Sequence, residues 1–186
     1  MHTNIAITRY KSSRIKVGLL GGSFNPAHIG HVSISTAIRN KLGLDQIWWL
    51  VSKQNPLKSA SDNFTERLLS AEKIAKPCYI KVTDIEMQLG TIYTVDTIKR
   101  LITMFPQIEF FWLMGEDNLR QIPKWRKWRE IFAILPIVAY NRGSASGNIG
   151  ALQAAYVYRH ARLNSDAPAW RMLRGRKYDV ASSRLR

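Results

Sequence analysis

Ile15-Lys16-Val17-Gly18-Leu19-Leu20-Gly21-Gly22-Ser23-Phe24-Asn25-Pro26-Ala27-His28-Ile29-Gly30-His31 is the stretch on which the reading of this chain turns. The apolar run Val17 to Leu20 predicts a buried strand. It should stop at Gly21-Gly22, where the backbone can turn tightly and approach a ligand, and Asn25-Pro26 continues the turn. His28 and His31 follow, three residues apart, as a helical pattern begins with Ile34, Ala37, Ile38 and Leu42. Strand, glycine turn and helix start make a geometry suited to phosphate, because backbone N–H groups converge there and the helix dipole favours negative charge. Residues i and i+3 share a helix face, so both imidazoles can point at whatever the loop holds.

The loop is neither a Walker loop nor a dinucleotide fingerprint, since it lacks G-x-x-x-x-G-K-[ST] and its glycines are not spaced G-x-G-x-x-G. It resembles the G-G-x-F-N-P-x-H-x-G-H signature of the nucleotidyltransferase superfamily, the adenylyl- and cytidylyltransferases. Gly21, Gly22, Phe24, Asn25, Pro26, His28, Gly30 and His31 fill that signature. A lone H-x-G-H would carry little; the whole pattern between a strand and a helix is specific. The plain alternative is a glycine turn with two exposed histidines, or with imidazoles bonded to backbone.

Working outward, the remaining chain predicts alternating strands and helices. Gly43 is a candidate C-cap. Gln46 to Ser52 reads as a second buried strand with Asn55 to Lys58 in its exit loop. Asn63 and Glu66 resemble a capping box opening a helix that stops at Pro77. Tyr79 to Thr83 is a third strand, and Thr94 to Phe105 a helix with Val95, Ile98, Leu101 and Ile102 on one face. Glu109 to Met114 is a fourth strand, followed by a polar helical stretch holding both Trp125 and Trp128. A fifth strand lies within Ile131 to Tyr140. A helix over Ser146 to Arg159, a short strand at Trp170 to Leu173 and a last helix from Ser182 complete the expectation.

This alternation predicts an α/β fold with a parallel sheet and right-handed crossovers. Residues 15–186 are read as one domain and residues 1–14 as a disordered basic arm. Ligands of such sheets bind beyond the carboxyl ends of the strands, which selects the histidine loop, Asn55 to Lys58, Thr91 to Asp96 and Gly115 to Asp117.

Length and composition agree with that frame. The chain has 186 residues, 46% of them hydrophobic, which suits one globular domain. Apolar runs such as Phe110 to Met114 are far too short to span a bilayer, and no secretory signal pattern is visible. The single cysteine, Cys78, excludes an internal disulfide and suits a reducing compartment, with cytoplasm the expectation; Cys78 itself reads as a small packing residue. The net charge of +15 favours polyphosphates and, less selectively, nucleic acid. A basic nucleic-acid-binding module has only this charge in its favour, since no recognition helix, RNA-recognition signature or zinc finger is present.

Further motifs narrow the resemblance to one branch, the bacterial nicotinate-nucleotide adenylyltransferases, from about Lys16 to Arg186. Tyr93-Thr94-Val95-Asp96-Thr97 after Gly90-Thr91-Ile92 matches G-x-S-Y-T-x-D-T, with Ile92 in the serine's place. Trp125-x-x-Trp128 matches W-x-x-W, and an indole face suits a pyridinium ring. Gly115-Glu116-Asp117 matches G-x-D. Val180 to Arg186 aligns with I-S-S-T-x-I-R, although Ala181 lacks the first serine's hydroxyl and Ser183 replaces threonine.

The resemblance implies a Rossmann-like nucleotidyltransferase fold and adenylyl transfer from ATP to nicotinate mononucleotide, with Mg²⁺ bound mainly through ATP phosphates. It implies His28 and His31 as catalytic residues. For ATP it implies Gly21, Gly22, Ser23, Phe24, Gly115, Asp117, Ser182, Ser183 and Arg186. For nicotinate mononucleotide it implies Asn25, Lys58, Arg67, Thr91, Tyr93, Thr94, Trp125 and Arg142, with Trp125 stacking and Trp128 packing. No dedicated metal ligands, membrane or specific nucleic acid are expected, and a homo-oligomer is compatible. Nicotinamide mononucleotide and phosphopantetheine stand as alternative acceptors.

Overall fold

A computed structural model of the chain describes residues 14–53, 63–141 and 167–175. Six strands, β1 (Ile15–Gly22), β2 (Gln46–Val51), β3 (Ile80–Thr83), β4 (Ile108–Gly115), β5 (Ile137–Asn141) and β6 (Trp170–Arg174), form one sheet in the order β3-β2-β1-β4-β5-β6. Every pairing is parallel. β1 lies inside the sheet, with Leu19 opposite Trp48 on one side and Trp112 on the other.

The helices are α1 (Ile29–Leu42), α2 (Phe64–Ile74), α3 (Ile85–Gln88), α4 (Thr94–Met104), α5 (Glu116–Gln121) and α6 (Trp128–Ile134), with a 3₁₀ turn at Ile122–Lys124. The edge strand β6 exposes Arg171 and Arg174, whereas the inner strands β1, β2, β4 and β5 are mostly apolar and buried, as expected where both faces of a parallel sheet are covered. Successive residues of β4 show how: Phe110, Trp112 and Met114 join Ile98 and Leu101 of α4 and Ile131 and Phe132 of α6 in one core cluster. Phe111 and Leu113 point the other way, into a second cluster with Ile34 and Ile38 of α1 and Ala71 of α2. This alternation is the period-2 geometry of a strand. Each fully buried Leu or Ile contributes roughly 1.5–3 kcal/mol, and the two clusters pin the helices to opposite faces.

Local signals explain the helix ends. Gly43 closes α1 in the left-handed conformation at φ 63°. Asn63 caps α2 by accepting the Thr65 N–H at 3.0 Å, while its amide reaches the Glu66 carboxylate at 3.3 Å. That is a side-chain version of the expected capping box.

Three expectations need correction. β1 ends at Gly22, but both glycines belong to the strand rather than to the turn, because Gly21 and Gly22 still pair with Leu50 and Val51. Trp125 and Trp128 do not share a helix: Lys127 between them is left-handed at φ 50°, so Trp125 follows the 3₁₀ turn and Trp128 opens α6. The fifth strand does lie in the Ile131 to Tyr140 stretch, filling its last part from Ile137 and running on to Asn141, while Ile131 to Ile134 belong to α6. Cys78 is exposed rather than packed, since β3 starts two residues later, at Ile80. The short strand near the C-terminus is present as β6, beside β5. The basic arm, the Asn55 to Lys58 loop, the Ser146 to Arg159 helix and the helix from Ser182 lie outside the described residues. No helix among the described residues is long and apolar enough to cross a membrane.

Candidate active site

β1 to β3 progress toward one edge of the sheet and β4 to β6 toward the other, so the order reverses between β1 and β4. The loops leaving their carboxyl ends diverge there, and ligands of open α/β sheets bind in such a crevice. The histidine loop stands on one side of it and Gly115-Glu116-Asp117 on the other.

The histidine loop is built from tight contacts. A Cβ on Gly21 would lie 2.5 Å from the indole of Trp112, so only glycine lets β1 pass. Phe24 takes a left-handed backbone at φ 49°, unusual for a residue with a Cβ and of order 1–2 kcal/mol unfavourable. Its ring offsets this by burial: it stacks on Trp49 with centroids 5.0 Å apart and leans on His31 at 4.8 Å. Trp49 is held in turn through Nε1–H, which donates to Ser35 Oγ of α1 at 2.8 Å. After the cis Asn25–Pro26 bond, the Ala27 N–H donates to Ser70 Oγ of α2 at 3.2 Å.

His28 and His31 then cap α1 reciprocally. His28 is the N-cap residue, and its Nδ1 accepts the Gly30 N–H at 3.1 Å. His31 Nδ1 accepts the His28 N–H at 3.2 Å. The ring centroids are 4.0 Å apart. A nitrogen that accepts from a backbone amide carries no proton, so each neutral ring holds its proton on Nε2 and presents it as a donor. His28 is buried and His31 half-buried. Of the six α-helices described, α1 alone has no acidic residue in its first turn, so no side chain there cancels the positive end of its dipole. Two oriented N–H donors at an uncompensated helix start can hold an anion.

Arg67 of α2 is 7% exposed and turns inward. Its guanidinium donates to Ser23 O at 2.7 Å, Ser52 O at 2.8 Å and Lys53 O at 3.2 Å. It therefore braces the histidine loop against the end of β2, besides the phosphate contact expected of it. Glu86, which the sequence reading did not single out, is buried beside this brace. Burial pushes its carboxyl from the ordinary 4.5 up to about 7, against the Lys53 N–H and the Arg67 charge, which pull the other way. An acidic residue just past the end of β3, on the same side as the site loops, was the available signal.

Beyond β3, Thr91 is buried and its hydroxyl pairs with that of Thr97 at 2.8 Å. Tyr93 is the N-cap residue of α4, and the Arg126 guanidinium lies 4.6 Å above its ring. That contact places the start of α4 beside the Trp125 segment. Trp125 is half-buried and meets Trp112 edge-on at 6.2 Å, while Trp128 is buried against Phe132. The structure thus gives the first tryptophan a partly open ring and the second a packed one. At the end of β4, the Asp117 carboxylate lies where a Cβ on Gly115 would have to sit, which explains the glycine. Glu116 is buried, pairs with Arg120 at 2.8 Å through Oε1, and has no hydrogen-bond partner at Oε2 among the described residues. Lys58, Arg142, Ser182, Ser183 and Arg186 lie outside the described residues.

Comparison with known proteins agrees with this arrangement. The cytidylyltransferase-like family model matches residues 19–186. A probable nicotinate-nucleotide adenylyltransferase of Parvibaculum lavamentivorans is 57% identical over 130 residues, covering 69% of this chain and 65% of the relative. One of Agrobacterium fabrum is 37% identical over 181 residues, covering 91% of this chain and 97% of the relative. Among solved structures, Plasmodium falciparum nicotinic acid mononucleotide adenylyltransferase complexed with NaAD superimposes with a TM-score of 0.72 at 18% identity, over 91% of this chain and 81% of that one. That likeness shows the shared fold. Spanning nearly the whole of the Agrobacterium relative and matching the family from β1 to its last residue, the chain belongs to the cytidylyltransferase-like nucleotidyltransferases, in the nicotinate-nucleotide adenylyltransferase family.

Proposed function

We propose that this enzyme transfers the adenylyl group of ATP to nicotinate mononucleotide, giving deamido-NAD and pyrophosphate, a step of cytoplasmic NAD biosynthesis. One observation carries the reading: two imidazoles, 4.0 Å apart at the switch point, each fixed by a backbone N–H so that Nε2–H is the group presented. The 5′-phosphate oxygen of nicotinate mononucleotide attacks the ATP α-phosphorus in line. The bond from that phosphorus to the bridging oxygen breaks, and pyrophosphate leaves. Phosphoryl chemistry of this kind needs no protein nucleophile; positioning and charge stabilisation suffice.

His31 Nε2–H meets the α-phosphoryl oxygens as charge builds on them, and His28 steadies the neighbouring phosphates. The N–H groups of Gly22, Ser23 and Phe24 line the same turn. Asp117, folded over Gly115, accepts from the ATP ribose hydroxyls. Ser182, Ser183 and Arg186 hold the β- and γ-phosphates. On the acceptor side, Trp125 offers an indole face to the pyridinium, Thr91 to Thr94 lie at the nicotinate, and Asn25, Lys58, Arg67 and Arg142 serve its phosphate and ribose.

Mg²⁺ would be held mainly by the ATP phosphates and water, as is common for this ion, and would neutralise charge on those phosphates. The chain's own part in that arrangement is to grip the phosphates through the histidine loop.

Pyrophosphate release from ATP with nicotinate mononucleotide, nicotinamide mononucleotide and phosphopantetheine tests the reading directly. The expected outcome is the highest kcat/KM with nicotinate mononucleotide. Turnover confined to phosphopantetheine, or no adenylyl transfer to any acceptor, would overturn it.

A further inference from the structure

Three chain segments that end at the site meet at one buried pair. Arg67 reaches the histidine loop through Ser23 O and the end of β2 through Ser52 O and Lys53 O. The Glu86 carboxylate accepts the Lys53 N–H and feels the Arg67 charge, while its main-chain oxygen accepts the Thr91 N–H at 2.9 Å. Ser52 N–H donates to Gly22 O at 2.9 Å, closing the circuit between the first two segments. Glu86 and Arg67 are 5% and 7% exposed, so solvent does not replace these contacts. Lys53 is thereby held at both its N–H and its C=O by the two side chains.

We propose that Glu86 and Arg67 are positioning residues, a buried latch that fixes the loops after β1, β2 and β3 relative to one another and so sets the geometry in which the two nucleotides meet. The inference rests on the adenylyl-transfer reading and deepens it. Glu86 touches no reacting atom, and the brace that Arg67 makes to three backbone carbonyls is separate from the phosphate contact proposed for it. The latch acts by holding backbone, and a shift of about 1 Å in such a frame is enough to cost on the order of a hundredfold in rate.

The ionised carboxylate is the stronger acceptor for the Lys53 N–H and the better partner for the guanidinium. The same ionisation disfavours the fold. With the folded carboxyl at about 7 and the ordinary value at 4.5, the folded protein keeps between those values a proton that the unfolded chain releases. Stability from this group is therefore present at low pH and lost as pH rises through about 7. Arg67 of α2 is the charged side chain acting on Glu86, and Lys53 faces it with its backbone. Activity and stability should thus respond to this one group in opposite directions, which a merely structural carboxyl would not produce.

The test compares wild type, E86Q, R67K and the double variant in the pyrophosphate assay at pH 6 to 8, with thermal unfolding and amide exchange on the same samples. At pH 8, E86Q is expected to lose about tenfold in kcat/KM, to unfold at a higher temperature than wild type, and to exchange the Lys53 amide faster. R67K should lose a similar amount, and the double variant no more than the worse single, because one unit is broken twice. Wild-type kcat/KM in E86Q across the range, additive losses, or an unchanged Lys53 amide would each overturn the latch. If wild type makes no deamido-NAD, the functional reading fails by itself, and the Lys53 exchange rates still decide whether the latch exists.

Discussion

The loop after β1 and the segment after β4 flank the same crevice and are finished in opposite ways. From Gly21 to His31 the backbone is tied off: Ser23 O to Arg67, Ala27 N–H to Ser70, His28 N–H to His31 and Gly30 N–H to His28. Phe24 is locked under His31 in a backbone conformation that only dense packing sustains. Across the crevice, β4 and its exit hold three of the buried polar atoms that lack a partner among the described residues, Glu109 Oε1, Trp112 Nε1 and Glu116 Oε2. Trp125 there is only half-buried, behind a left-handed Lys127. The contrast teaches a division of labour. In the proposed reaction the side assigned to the developing charge is the preorganised one, and the side assigned to the flat ring keeps unmet capacity.

Breaking the tied side should have the largest effect. His31→Ala removes a fixed donor and is expected to lower kcat by about 10²–10³-fold, with roughly 1 kcal/mol of stability lost through the vanished cap. Single-turnover kinetics and thermal unfolding check the two halves, and wild-type turnover in that variant would end its assignment to the phosphoryl group. Gly21→Val comes next. Its branched side chain would be forced into the Trp112 indole, a rigid ring buried in the core, at about 1–3 kcal/mol. A denaturant midpoint indistinguishable from wild type would show that β1 can yield there.

The open side should give smaller, ligand-specific effects. Trp125→Ala is expected to raise the KM for nicotinate mononucleotide about tenfold, in line with 0.5–1.5 kcal/mol for aromatic stacking, while the KM for ATP and the kcat hold. A rise in the ATP KM alone would assign the indole to the other nucleotide. The smallest change is expected from Glu116→Gln, which keeps the shape and removes the charge. Its unfolding free energy should fall by about 1 kcal/mol, because the amide still accepts from Arg120 and the hydrogen bond is weakened rather than removed, with a shift in one substrate's KM if Oε2 serves a ligand hydroxyl. An unchanged KM for both substrates would make Oε2 a structural acceptor only.

How far these features could be read from sequence depends on where their partners lie. The strand–glycine–histidine motif, the α1 and α4 stripes and β6 were legible because apolar spacing and turn residues encode them locally. α3 was not, since four residues carry no helical period. The separation of Trp125 from Trp128 hangs on one positive φ at Lys127, which no residue type there announces. Arg67 read as a phosphate base because its partner carbonyls are 44 and 15 residues away and carbonyls leave no mark in sequence. Glu86 left only its place just past β3 as a signal, because its acceptor role is defined by a backbone amide of another loop.

The reciprocal cap on α1 has a consequence for how this site can change over evolutionary time. In many enzymes the groups that do chemistry weaken the fold, so drift toward sturdier variants erodes function. Here the same two nitrogens that anchor the start of a helix also aim its imidazoles, so a variant that loosens one loosens the other. With the catalytic role proposed for the His28–His31 pair, selection for a durable molecule and selection for a working one would push it in the same direction, and neither could relax without the other.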